Sequence, residues 1–99
     1  MSIKLKIVTP DGTFINDKEV DIVNVQTIDG DIGIMGNMIP LVSSLKIGIL
    51  SFREKGNLTR VHVNLGIVKV DGIQCKVITE SLYLVDEAGN ELPTPQKLF

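Results

Sequence analysis

The sequence predicts an all-β domain, a small flattened β-sandwich or barrel of about eight to ten short, mostly antiparallel strands. Three observations predict it. The 99 residues include 13 Ile, 11 Val and 6 Thr but a single alanine, Ala88. β-Branched side chains lose χ1 freedom in helices and pack well on a pleated surface, so this composition disfavours a helical bundle. Turn signals built from Gly, Pro, Asp and Asn recur roughly every 8–12 residues, the spacing of a sandwich or barrel. No segment sustains a 3.6-residue apolar period, whereas alternation with period two is frequent.

The elements follow in order. Ile3, Leu5 and Ile7 alternate with Lys4 and Lys6 and predict a first strand. Thr9-Pro10-Asp11-Gly12-Thr13 is a turn, because Pro presets φ and Gly accepts positive φ. Thr13 to Asn16 returns as a short strand. Glu19 to Ile28 is predicted as one strand with a parity switch between Ile22 and Val23, the mark of a bulge or of burial on both faces. Asp29-Gly30-Asp31 is a turn, and Ile32 to Met35 is a short strand broken by Gly36-Asn37.

Met38 to Lys46 contains Pro40, which cannot donate to a ladder, so no central strand is expected there. Gly48 to Phe52 and Leu58 to Leu65 form a hairpin with a charged tip, Arg53 to Asn57. Gly66 marks a bulge or sharp corner, with Ile67 continuing the inward row and Val68 and Val70 on the other. Asp71-Gly72 is a two-residue hairpin turn into a strand from Ile73 to Thr79, and Ser81 to Val85 is the last strand. Residues 1–86 are expected to form the sandwich and 87–99, with Gly89, Pro93 and Pro95, an irregular C-terminal tail.

Composition narrows the function classes. Ten basic residues stand against twelve acidic ones, a net charge of −2, so no basic excess favours nucleic acid. No apolar run approaches the ~20 residues that span a membrane, and the alternating N-terminus is no signal peptide. The lone Cys75 fits a reducing compartment, with the cytoplasm the simplest reading. One His and one Cys fall short of the about four ligands of a zinc site, and Asp29 with Asp31 fall short of calcium's roughly six to eight oxygens. His62 and Cys75 are the only candidates for a nucleophile–base pair, but their parities place them on opposite kinds of face. No catalytic residue, metal, cofactor or small-molecule substrate is expected. The spacing Gly30, Gly33, Gly36 lacks the strand–turn–helix setting of a phosphate cradle.

The segment Thr27-Ile-Asp-Gly-Asp-Ile-Gly-Ile-Met-Gly-Asn-Met-Ile-Pro-Leu41 resembles the epsilon subunit of rotary F-type ATP synthases, specifically its N-terminal β-sandwich. The family's Gly-acidic-apolar-Gly-Ile stretch, followed by Pro-Leu, is matched here by Gly30, Asp31, Ile32, Gly33, Ile34, Pro40 and Leu41. Ile7-Val8-Thr9-Pro10-Asp11-Gly12 is similar to the family's first strand and turn. Lys46-Ile47-Gly48 resembles its Lys-Pro-Gly, and Asn64-Leu65-Gly66-Ile67-Val68-Lys69-Val70 its Ser-Gly-Gly-apolar stretch.

The sequence departs from the family where Gly36, Asn37 and Met38 replace Pro-Gly-His and Ile47 replaces Pro. It also lacks the Ala-, Arg- and Glu-rich run of the family's C-terminal helical hairpin. Pro93 and Pro95 do not read as the start of a helix, which favours a naturally short form. Inhibition by an extended hairpin and nucleotide sensing are therefore not carried over.

The resemblance implies a non-catalytic central-stalk subunit that binds the gamma subunit and couples it to the c-ring, alongside catalytic alpha and beta subunits. Such a subunit lies in the cytoplasm, peripheral on the inner face of the cell membrane. The resemblance assigns Thr27, Ile28, Asp29, Gly30, Asp31, Ile32 and Gly33 to the c-ring-facing turn, and Thr9, Pro10, Met38, Ile39, Pro40 and Ser43 to the gamma-facing surface. Two other readings are an epsilon-like subunit of a rotary relative without a c-ring, and an unrelated binding module using the Arg53 to Arg60 hairpin.

Overall fold

A computed structural model of the chain describes residues 2–98. Ten strands form one strongly curled sheet: β1 (Ile3–Thr9), β2 (Gly12–Val20), β3 (Ile22–Thr27), β4 (Gly30–Ile34), β5 (Leu41–Leu45), β6 (Gly48–Glu54), β7 (Asn57–Val63), β8 (Gly66–Val70), β9 (Gln74–Thr79) and β10 (Leu82–Val85). No helix is present among the described residues. The strand path runs β10-β7-β6-β3-β5-β8-β9-β1-β2, with β4 added to β3 outside it. Every pairing is antiparallel except β1 with β9, which is parallel.

Period-two alternation explains the core. Ile3, Leu5 and Ile7 of β1 face inward with Val68 and Val70 of β8 and Cys75 and Val77 of β9. From the other limb come Val23 and Val25 of β3, Leu50 and Phe52 of β6, and Val61 and Val63 of β7. The curl brings the two inner faces together as the two layers of a sandwich. Lys18 on β2 reaches Glu54 on β6 at 2.6 Å, joining one end of the path to the opposite limb.

Several sequence expectations are corrected. The single strand Glu19 to Ile28 is two strands separated at Asp21, whose N–H donates to Arg53 O at 2.8 Å. Val20 and Val23 are both buried because the chain leaves the β1 ladder and enters the β3–β6 ladder between them, so the parity switch marks a change of partner. The short strand from Thr13 extends through Val20, with its register shifted opposite Leu5 and Ile7. Asp17 sits in that irregular stretch with φ of 54°.

β5 lies inside the path, between β3 and β8, where no central strand was expected. Pro40 precedes the first ladder residue, Leu41, and so removes no bond from it. The Asp71-Gly72 turn is a loop of three residues, 71–73, closed by Asp71 Oδ1 accepting from the N–H groups of Ile73 and Gln74. Ile73 thus leaves the apolar row of Cys75 and is 71% exposed. Ile67 faces outward rather than inward, because the chain turns a corner at Asn64–Leu65 and Val68 and Val70 take the inner row.

Gly66 occupies the turned corner. A Cβ there would collide with the Ile78 carbonyl oxygen and lie 2.9 Å from Thr79 Cα. Beneath it, buried Thr79 ties the corner together. Its Oγ1 accepts from the Asn64 N–H at 3.1 Å and has the carbonyls of Asn64, Leu65 and Ser81 at 3.2 Å as acceptors.

The chain after β10 runs back over the sheet. Glu91 bridges to Val85, Leu84 N–H donates to Thr94 Oγ1, and Leu98 N–H donates to Phe14 O at 2.7 Å. Leu98 packs against the core; whether Phe99 docks there too falls outside the described residues.

Candidate functional site: the β3–β4 hairpin and the adjoining strand face

The turn assigned to the c-ring by resemblance is the tip of the β3–β4 hairpin. Thr27 pairs with Gly30, leaving Ile28 and Asp29 as the two tip residues. Thr27 is buried, and its Oγ1 donates to Gly30 O at 2.7 Å while accepting from the Asp29 N–H at 3.1 Å. Gly30 adopts φ of 118°, a conformation that other residues rarely take. A threonine that caps its own turn and a glycine that closes it make the tip rigid. Ile28 is 68% exposed, and Asp29, Asp31 and Gly33 are exposed too, whereas Ile32 packs against the core. Asp31, Ile32 and Gly33 border a shallow depression of about 420 Å³ shared with Asn24, Val25, Gln26 and Ile49.

The residues assigned to gamma by resemblance do not form one patch. Thr9 and Pro10 border a depression of about 380 Å³ with Val8, Leu65, Gly66, Ile78, Thr79 and Glu80. Met38, Ile39 and Pro40 belong to the opposite end of the same strands, where Asn37 N–H donates to Gly72 O at 2.9 Å. Met38 is half-buried against the core and its Sδ lies 3.1 Å from the Met35 nitrogen, while Ile39 is 85% exposed. Ser43 goes with the other site: its Oγ donates to Asp29 Oδ2 at 3.5 Å, and Ile28 N–H donates to Ser44 O. The two surfaces separated by sequence reasoning therefore meet at β5.

The structure keeps His62 and Cys75 apart. Cys75 is buried in the core, and burial pushes its thiol up to about 12. A neutral, enclosed thiol is a poor nucleophile. His62 is half-exposed on β7 and stacks on Tyr83 with ring centroids 4.7 Å apart. Among the described residues no three His, Cys, Asp or Glu side chains converge as a metal site.

Sequence reasoning missed the outer face of β5, β8, β9 and β1. There Val8, Ile67 and Ile78 fall in one cross-strand row and Lys6, Lys76 and Lys69 in the next. Alternation within each strand was legible, but which strands neighbour each other was not.

The chain is a curled all-β sandwich with an exposed hairpin tip closed by its own threonine and glycine. Comparison with known proteins makes the class specific. Residues 2–85 match the family described as ATP synthase, Delta/Epsilon chain, beta-sandwich domain, and the chain belongs to that family. Its members are stalk subunits of ATP synthase and are not themselves catalytic.

The ATP synthase epsilon chain of Symbiobacterium thermophilum is 35% identical over 82 residues, covering 83% of this chain and 59% of that protein. That of Halalkalibacterium halodurans is 32% identical over 90 residues, covering 91% and 67%. The chain thus spans about three-fifths of the length of the relatives it matches. The fold is similar to a chain of the Euglena gracilis mitochondrial ATP synthase OSCP/F1/c-ring structure, with TM-score 0.82, 19% identity, and coverage of 87% of this chain and 55% of that one. A chain of the Tetrahymena thermophila mitochondrial ATP synthase central stalk/c-ring structure gives TM-score 0.72, 16% identity, and coverage of 84% and 66%.

Proposed function

We propose that this domain is a rotor element of an F-type ATP synthase, binding the gamma subunit and coupling it to the c-ring during ion-driven ATP synthesis. The match of residues 2–85 to the epsilon-chain sandwich carries the reading. The assemblies containing its structural neighbours are described as F1/c-ring and central stalk/c-ring structures, which agrees with it. In this reading the chain sits peripherally on the inner face of the cell membrane, held there by its partners.

The mechanism is mechanical. Torque passes without loss only through a stiff joint. The β3–β4 tip is stiffened by the Thr27 cap and tied through Ser43 to β5. Its exposed Asp29 and Asp31 are suited to basic side chains or amide donors on a c-ring loop. The strand face beyond β5 is then available to gamma.

The test is assembly with purified gamma and c-ring. Asp31→Lys is expected to leave thermal unfolding unchanged and to weaken c-ring association about tenfold, the effect of turning one attraction into repulsion. Undiminished association at physiological salt would count against the hairpin as the contact. Recovery of gamma and catalytic subunits without any c subunit would remove the c-ring half of the proposal.

A further inference from the structure

The strand path ends at β10 on one side and at β2 on the other, and each leaves one strand edge without a neighbouring strand. Such an edge presents unpaired N–H and C=O groups and is a template for another strand. One segment of the chain holds both. Leu92 N–H donates to Leu84 O at 2.8 Å, Leu84 N–H donates to Thr94 Oγ1 at 2.8 Å, and Glu91 bridges to Val85. Further on, Leu98 N–H donates to Phe14 O on β2 at 2.7 Å, and the Leu98 side chain packs against the core. Residues 91–98 thus form a strap from one edge to the other.

The strap covers β10 without extending the sheet. Pro93 and Pro95 have no N–H, so its outer side is a poor template for a further strand. Its hold on β10 is light, because the Leu84 N–H is met by a threonine hydroxyl and not by a ladder carbonyl. A capped turn sets its position: Asp86 Oδ1 accepts from the N–H groups of Ala88 and Asn90, and Gly89 takes φ of 87°.

The covered edge pairs well with itself. β10 is Leu82-Tyr83-Leu84-Val85, with no charge and no proline to discourage a strand partner. Its bonds to the strap show that Leu84 turns both main-chain groups to the free edge, and alternation gives Leu82 the same orientation. An antiparallel copy on a two-fold axis at Leu84 sets Leu84 against the partner's Leu84. Tyr83 then meets the partner's Val85, an aromatic–β-branched pair of the kind that stabilises adjoining strands. In that register Asp86 falls opposite the partner's Leu82, so no two carboxylates are opposed.

We propose that the β10 edge is a pairing site for a second copy of this chain, kept closed by the strap, and that release of the strap joins two copies through β10. The inference goes beyond the rotor reading and does not depend on it. A second copy is favoured over a foreign strand because the edge complements itself and carries no charge to select another partner.

The experiment is sedimentation of the full chain over a concentration series. Leu92→Pro/Leu98→Asp removes the donor to Leu84 O and the apolar anchor, and so opens the strap. This variant should dimerise with a Kd about tenfold or more below that of the wild type, since the pairing-competent fraction is no longer limited by the strap. Adding Tyr83→Glu, which sets two carboxylates diagonally across the axis, should return it to monomer. An open variant that keeps its β-sheet circular dichroism and stays as monomeric as wild type would overturn the inference. Dimerisation that Tyr83→Glu does not reverse would overturn it too, by placing the contact elsewhere. A monomeric open variant that binds purified gamma more tightly than wild type would give the edge to a foreign strand instead. If the open variant does not fold, Val85→Cys/Glu91→Cys decides the matter, because a disulfide between these bridge partners locks the strap. The oxidised form should stay monomeric at concentrations where the reduced form dimerises, and equal association of the two forms would overturn the inference.

Discussion

Lys18 and Glu54 are 36 residues apart in sequence, yet their charged atoms lie 2.6 Å apart across the seam between β2 and β6. No ladder joins those strands; the seam is closed by Asp21 N–H donating to Arg53 O just past β2 and braced by this ion pair. The Lys18 side chain is only 8% exposed, which raises the worth of the pair above that of a surface bridge. Glu54→Gln is expected to cost about 1–2 kcal/mol, between the surface and buried limits. In a domain of this size that lowers the melting temperature by roughly 5–10 °C. Calorimetry with and without 1 M salt checks it: the deficit should persist in salt if the pair is shielded from screening, as its burial requires.

Glycine tolerance should divide by what a Cβ meets. Gly66→Ala drives a methyl into the backbone of Ile78 and Thr79, which cannot step aside without breaking the β8–β9 ladder. A loss of about 3 kcal/mol is expected. At Gly48 the obstacle is the far end of the Gln26 side chain, which can rotate away. Gly48→Ala should cost about 1 kcal/mol, chiefly the bond from Ile49 N–H to Gln26 Oε1. Urea titrations of the two variants should rank them in that order, and the reverse order would refute the account.

Thr79→Val keeps the volume of a buried side chain and removes its hydroxyl. The Asn64 N–H then loses one of two acceptors and keeps Ser81 O at 3.1 Å. A cost of about 1 kcal/mol is expected, the net worth of a hydrogen bond whose donor keeps another partner. Hydrogen exchange at Asn64 and Leu65 should quicken more than at Val61 or Val77, since the damage is local to the corner.

The Cys75 thiol is pushed from its ordinary 9.0 to about 12 by burial alone. The sign follows from linkage. Below pH 9 both folded and unfolded chains keep the proton, and the group is silent. Between pH 9 and 12 the unfolded chain ionises while the folded one does not, so stability falls across that window, by about 4 kcal/mol in all. Cys75→Ala removes this slope, although the cavity it leaves lowers stability at every pH. The gap between wild type and variant should therefore narrow from pH 8 to pH 11 in urea unfolding. At pH 8 the folded thiol should resist a disulfide reagent that reacts freely once the chain is unfolded.

Local signals account for what was legible. Arg53 to Asn57 announces the β6–β7 hairpin, and Asp29-Gly30 announces the β3–β4 tip, because turn chemistry depends on neighbours along the chain. The break at Asp21 was hidden because Val20 and Ile22 continue an apolar row as if nothing intervened. β5 was discounted on account of Pro40, which stands one residue outside the ladder. The exposed Asp29 and Asp31 could be anticipated from residue type, whereas the bond from Ser43 to Asp29 and the alignment of Lys6, Lys76 and Lys69 depend on strand neighbours far apart in sequence.

The parallel pairing of β1 with β9 sets a timetable for the chain's synthesis. Lys4 waits for Gln74, 70 residues later by their numbers, before its ladder can form. Parallel strands of such separation are slow to find each other, because the intervening loop must be closed before any contact repays it. As the polypeptide emerges from a ribosome, β6 and β7 can zip early, but β1 stays unpaired on its β9 side, and the outer face of β8, β9 and β1 does not yet exist. That face is thus closed only after β9 has emerged, well after the β6–β7 hairpin. Any partner that recognised it would bind chains grown past β9 and ignore shorter nascent ones.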